Sequence, residues 1–125
     1  MPVRRQLVIA ALLIVAGVAV LALPASLEGP RIIRFGPGHG PSLLDLAGIA
    51  LVVPGGLWLL AVLLRGLPAL GLSARALFGL GVTGGVGLGL TVASVFGDFA
   101  GWWAVGLGAV TIVEVFLLTA VWRRA

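Results

Sequence analysis

The chain has 125 residues, 61% of them hydrophobic and only 10% charged, with a mean hydropathy of +1.25. A water-soluble domain of this size has too little interior to hide so much apolar surface, so lipid is the natural solvent for most of it. With no Cys and one His, disulfides, thiolate metal sites, cysteine nucleophiles and a two-histidine haem within the chain are excluded, and too few ligands remain for zinc. No cofactor and no metal are expected.

The net charge is +4 and all eight basic residues are Arg. A high pI often signals nucleic acid. Here the arginines flank apolar runs, so the lipid bilayer is the expected partner and nucleic acid is not. The absence of Lys beside abundant Ala, Gly, Val, Leu and Arg points to a GC-rich bacterial genome, and so to a bacterial plasma (inner) membrane.

Four apolar runs follow one another, at about residues 7–23, 43–64, 76–96 and 102–122. Each approaches the ~20 residues that cross ~30 Å of hydrocarbon. The strict alternation of barrel strands is absent, and without water the backbone satisfies itself only as helix. The fold expected is an all-α integral membrane protein: a single domain over 1–125, with four antiparallel transmembrane helices in an up-down-up-down bundle.

The first run follows Arg4 and Arg5, a suitable n-region for a signal peptide. It is longer than a usual h-region, however, and Leu23 stands where cleavage after Ala25 wants a small residue. It therefore reads as a span. Placing the N-terminus inside puts Arg4, Arg5, Arg65, Arg75, Arg123 and Arg124 on the cytoplasmic side and leaves only Arg31 and Arg34 outside. That positive-inside bias sets both termini in the cytoplasm. Trp102 and Trp103 then mark the outer interface and Trp122 the inner one.

The outer loop, residues 24–42, carries Arg31-Ile32-Ile33-Arg34-Phe35 and His39 within Gly36-Pro37-Gly38-His39-Gly40-Pro41. The arginine segment suits the lipid headgroups or the outer surface of a partner. The glycine-rich stretch lacks the Lys and Ser/Thr of a phosphate loop, and a lone loop His is more often solvated than a ligand. Ser42-Leu43-Leu44-Asp45 has the form of a capping box with Asp in place of Glu.

The second run contains Pro54-Gly55-Gly56 near mid-membrane. Proline removes a backbone donor and crowds the preceding turn, so a kink is expected; a broken helix lining a cavity is the alternative. The segment from Arg65 to Arg75, with Gly66, Pro68 and Gly71, reads as a loop.

In the third run Gly81, Gly85 and Gly89 recur every fourth residue. Such a smooth stripe lets another helix backbone approach closely. At ~100° per residue, Thr83, Gly87, Thr91, Ser94 and Asp98 fall on nearly the opposite face. Either both faces pack within the bundle, or one meets a partner or lines a polar path.

Glu114 lies well inside the fourth run. A carboxylate at that depth costs ~2.5–3.5 kcal/mol, so it should be protonated, paired or facing water. Arg123 is nine residues on, roughly 13 Å along a helix, too far for a local ion pair. Thr111 is one turn away, and Thr83 of the third run should lie at the same depth. A hydrogen bond from Thr83 or Thr111 to Glu114 is therefore expected, forming an intramembrane polar site. The site admits three roles: a proton or cation site, a neutral interhelical contact, or a salt bridge to a partner chain.

The end of the second run, Leu57 to Arg65, aligns with the end of the fourth, Val115 to Arg123. Apolar helices resemble one another by chance, so this likeness alone does not establish a repeat.

Conspicuous packing surface with little chemistry points first to a non-catalytic subunit or scaffold that binds another membrane protein or itself. A small oligomeric carrier or channel built on Glu114 is the second expectation. An intramembrane enzyme is not expected, because Glu114 belongs near the inner side and His39, Asp45 and Asp98 near the outer.

Overall fold

The computed structural model describes residues 1–23, 43–97 and 101–125. Among them are four α-helices and no strand: α1 (Val3–Leu21), α2 (Leu43–Leu70), α3 (Ala74–Phe96) and α4 (Trp102–Arg124). All four are long and apolar enough to cross a membrane. At ~1.5 Å per residue they run from about 28 to about 42 Å, against ~30 Å of hydrocarbon. Large apolar side chains such as Leu57, Phe78, Phe96 and Ile112 are exposed. Greasy helices with greasy exteriors suggest a membrane protein.

The helix ends depart from the sequence reading where flanking residues are themselves good helix formers. α1 begins at Val3 and ends at Leu21, so Arg4 and Arg5 lie inside its first turn. α4 likewise includes Arg123 and Arg124 in its last turn, where cations oppose the negative end of the helix dipole.

The largest difference is at α2, which continues to Leu70 through Gly66 and Pro68. The stop is Gly71, whose φ of +63° is a backbone state that side chains disfavour. α3 starts two residues before the expected 76, because the Ser73 side chain accepts the Ala76 N–H at 3.2 Å and caps it. Gly101, at φ +79°, makes the turn into α4.

α2 is also uninterrupted across Pro54-Gly55-Gly56, which corrects the broken-helix alternative. Proline there deletes one backbone bond, while Gly55 next to it is buried against α1, where a Cβ would stand 2.9 Å from Leu13 Cβ and 3.2 Å from the Ala10 carbonyl oxygen.

Contacts group the chain into two units, Met1–Leu64 and Arg65–Ala125. In the first, α1 packs on α2 where Ala10, Leu13 and Ile14 surround Gly55, and Leu7, Ala10, Leu59 and Leu63 are buried. The tightest point is Gly17 against Gly48. A Cβ at Gly17 would lie 2.7 Å from the Gly48 carbonyl oxygen, and one at Gly48 would lie 3.0 Å from that of Gly17.

In the second unit, α3 packs on α4 through an equivalent glycine pair, Gly87 and Gly106. Gly84 faces Val113 below it, and Gly66 of α2 faces Val121 near the end of α4, where an added Cβ would come within 3.0 Å of the valine.

Candidate functional site

The two faces of α3 have different fates. The face carrying Gly87, Thr91 and Ser94 is the one packed on α4. Two of its hydroxyls bond their own helix: Thr91 Oγ1 donates to the Gly87 carbonyl at 2.8 Å and Ser94 Oγ to that of Leu90 at 2.7 Å. A hydroxyl satisfied in this way fits an apolar seam. Asp98, expected at the end of that face, lies outside the described residues.

Gly81, Gly85 and Gly89 are on the other face. A Cβ built at any of them would meet no atom within 4 Å. The stripe therefore carries none of the α3–α4 packing, which is carried by Gly87 instead. Phe78, Val82, Val86 and Phe96 flank the stripe, and all four are exposed.

The expected polar cluster around Glu114 is not assembled. Thr83 does reach the depth of Glu114: it lines a shallow groove with Ile112, Val113 and Phe116 of α4. Residues two apart on a helix are about 200° apart, so Glu114 sits nearly opposite Ile112 and Phe116, on the other flank of the seam. Among the described residues, neither Thr83 nor Thr111 hydrogen-bonds it. Glu114 and Thr111 are both exposed. Thr83 and Glu114 thus share a depth but not a side of the seam: depth follows from counting residues, whereas azimuth depends on which face α4 turns to α3.

The remaining groove lining, Ala76, Gly79 and Leu80, is apolar, so Thr83 supplies its one hydroxyl. No group of three or more His, Asp or Glu side chains that could hold a metal exists among the described residues. No buried side-chain nitrogen or oxygen there lacks a partner. Arg31, Arg34 and His39 lie outside the described residues, as does Ser42 of the expected capping box. Asp45 does stand in the first turn of α2, where a negative charge complements the helix dipole.

Sequence reasoning passed over one polar contact. Trp58 Nε1 donates to Gln6 Oε1 at 3.4 Å, and Gln6 Nε2 donates to the Met1 carbonyl oxygen at 2.9 Å. Gln6 was legible as the lone amide in α1, and a half-buried indole N–H on an apolar helix favours an acceptor. The packing glycines had a signal as well: Ala10 and Gly17, and Gly48 and Gly55, are each seven residues apart, the repeat of a helix–helix seam.

Compared with protein-family models, curated proteins and solved structures, the chain matches none of them.

Proposed function

We propose that the chain is a multi-pass protein of a bacterial plasma (inner) membrane that serves as a non-catalytic subunit or scaffold of a membrane complex. The observation that carries this reading is the open stripe of Gly81, Gly85 and Gly89 on α3. In lipid, helices associate by close backbone packing rather than by hiding grease, and small residues at four-residue spacing suit such contacts. A stripe left clear of α4 is free to receive another transmembrane helix, from a second copy or from a different membrane protein.

Within this reading the four helices run antiparallel through the bilayer, with both termini in the cytoplasm. The arginine distribution supports that orientation. The test is size in mild detergent. The parent chain is expected to elute as a homo-oligomer or larger complex, and Gly85→Leu is expected to release a folded monomer. A parent that is monomeric in every mild detergent overturns the proposal.

Glu114 favours a second reading. It is exposed, well inside α4, and bonded to neither threonine expected to hold it. A small oligomeric carrier or channel would place such a carboxylate on a proton or cation path. Proton-coupled flux into liposomes, present in the parent and abolished in Glu114→Gln, would support it. Vesicles equally tight with both forms would exclude it.

A further inference from the structure

The two glycine pairs are not independent features. Shifting α1 by 70 residues carries Gly17 onto Gly87, and shifting α2 by 58 carries Gly48 onto Gly106. The second shift is also the one that aligns Leu57–Arg65 with Val115–Arg123.

The same two shifts transfer the contacts. Gly17 faces Val52 Cγ2 and the Gly48 carbonyl; Gly87 faces Val110 Cγ2 and the Gly106 carbonyl. Gly48 is covered by Leu21, and Gly106 by Thr91 at the matching position. One turn lower, Ile14 meets Gly55 in the first pair, while Gly84 meets Val113 in the second. There the large and small partners have changed places across the seam. Burial follows in part: Gly48, Leu59, Val62 and Leu63 are buried, and their counterparts Gly106, Leu117, Ala120 and Val121 are at least half-buried. It does not follow everywhere: Leu7 is buried where its counterpart Leu77 is exposed, and Leu13, Gly56 and Ala61 are half-buried where Thr83, Glu114 and Thr119 are exposed.

We infer that α1 with the first part of α2, and α3 with α4, are two copies of one helix-pair template, and that the polar side chains peculiar to the second copy are not required by its packing. Thr83, Thr111, Glu114 and Thr119 of the second copy correspond to Leu13, Val53, Gly56 and Ala61 of the first. The first pair closes around the same glycine contact with none of those polar groups. A polar side chain in a lipid-facing helix carries an insertion cost, so the second copy bears that cost for something other than its fold. Whatever chemistry or recognition the chain performs at membrane depth belongs to α3 and α4.

Two sets of full-length variants, melted in detergent, test the two halves of the inference. Thr91→Leu inserts a bulkier side chain at the tightest point of the α3–α4 seam, which ordinarily overpacks it. Since Leu21 already covers Gly48 in the same way, Thr91→Leu is expected to melt with the parent. A fall as large as that of Gly106→Leu overturns the shared template. The combined variant Thr83→Val, Thr111→Val, Glu114→Ala, Thr119→Ala restores the apolar character of the first copy, with Val at 83 because Leu13 packs on a glycine whereas Thr83 stands beside Val113, and Ala at 114 to avoid the helix penalty of Gly. It is expected to melt at or above the parent; a lower melting point shows that the second pair needs its polar groups to fold. Both readouts are of folding alone, so failure here is distinct from failure of the proposed scaffold role.

Discussion

Gly87 and Gly106 meet backbone to backbone. A Cβ added to Gly87 would stand 2.8 Å from the Gly106 carbonyl oxygen, and one added to Gly106 would stand 2.7 Å from that of Gly87. Neither distance is tolerated by real side chains, and the obstacle is backbone, which cannot rotate away. Close approach of this kind gains dispersion contacts along both helices.

The pair makes the first prediction one of sign. Gly106→Ala should destabilise the α3–α4 unit by about 1–3 kcal/mol, the usual cost of forcing atoms into a filled seam. Gly108→Ala, two residues away, should be neutral or stabilising by up to about 1 kcal/mol, because a Cβ there meets nothing within 4 Å and Ala is the better helix former. Thermal melting of the two variants in one detergent compares them directly. Equal losses would show that the seam is not where the structure has it.

How much of this was legible beforehand divides along a physical line. Spans were legible because hydropathy summed over ~20 residues is a strong signal. Helix ends were less so: Pro68 looked like a stop and was absorbed, while Gly71 supplied the stop through a left-handed backbone that no hydropathy sum reports. The choice of packing glycine was hardest. Gly81, Gly85 and Gly89 form the more regular pattern, yet the seam uses Gly87, since a helix turns toward its neighbour the face that fits that neighbour's own glycine. A pairwise fit of this kind cannot be read from one helix alone.

The cap on α3 gives a second prediction. The Ser73 hydroxyl accepts the Ala76 N–H at 3.2 Å, satisfying one of the free donors that begin any helix. Ser73→Ala should cost about 1 kcal/mol, and Ser73→Asp should retain most of the stability. Amide exchange at Ala76 is the local reporter: faster in the Ala variant, close to the parent in the Asp variant. Unchanged exchange in Ser73→Ala would remove the cap from the account of α3.

The Trp58–Gln6 bond gives a third. At 3.4 Å it is long, so its net worth should fall at the low end of the usual range, about 0.5 kcal/mol. Trp58→Phe keeps most of the ring and removes only the donor. A double-mutant cycle with Gln6→Leu should return a coupling of that size between α1 and α2. Additive losses would mean that the two side chains do not interact in the folded unit.

Orientation is the fourth, and the cysteine-free sequence makes it accessible. Under the proposed topology the turn between α2 and α3, residues 71–73, faces the cytoplasm beside Arg65 and Arg75. A single cysteine introduced by Leu72→Cys should resist a membrane-impermeant maleimide applied to intact cells and react after permeabilisation. Gly40→Cys, in the loop assigned to the opposite side, should react without permeabilisation. The contrast follows from arginine counts alone: six of the eight guanidinium groups collect on one side when the N-terminus is inside, and the bias of such groups toward the cytoplasm is what orients short-looped membrane proteins. If Leu72→Cys reacts in intact cells while Gly40→Cys does not, the assigned orientation is inverted. The Gly81, Gly85 and Gly89 stripe would keep its place on α3, and its partner would have to approach with the opposite polarity.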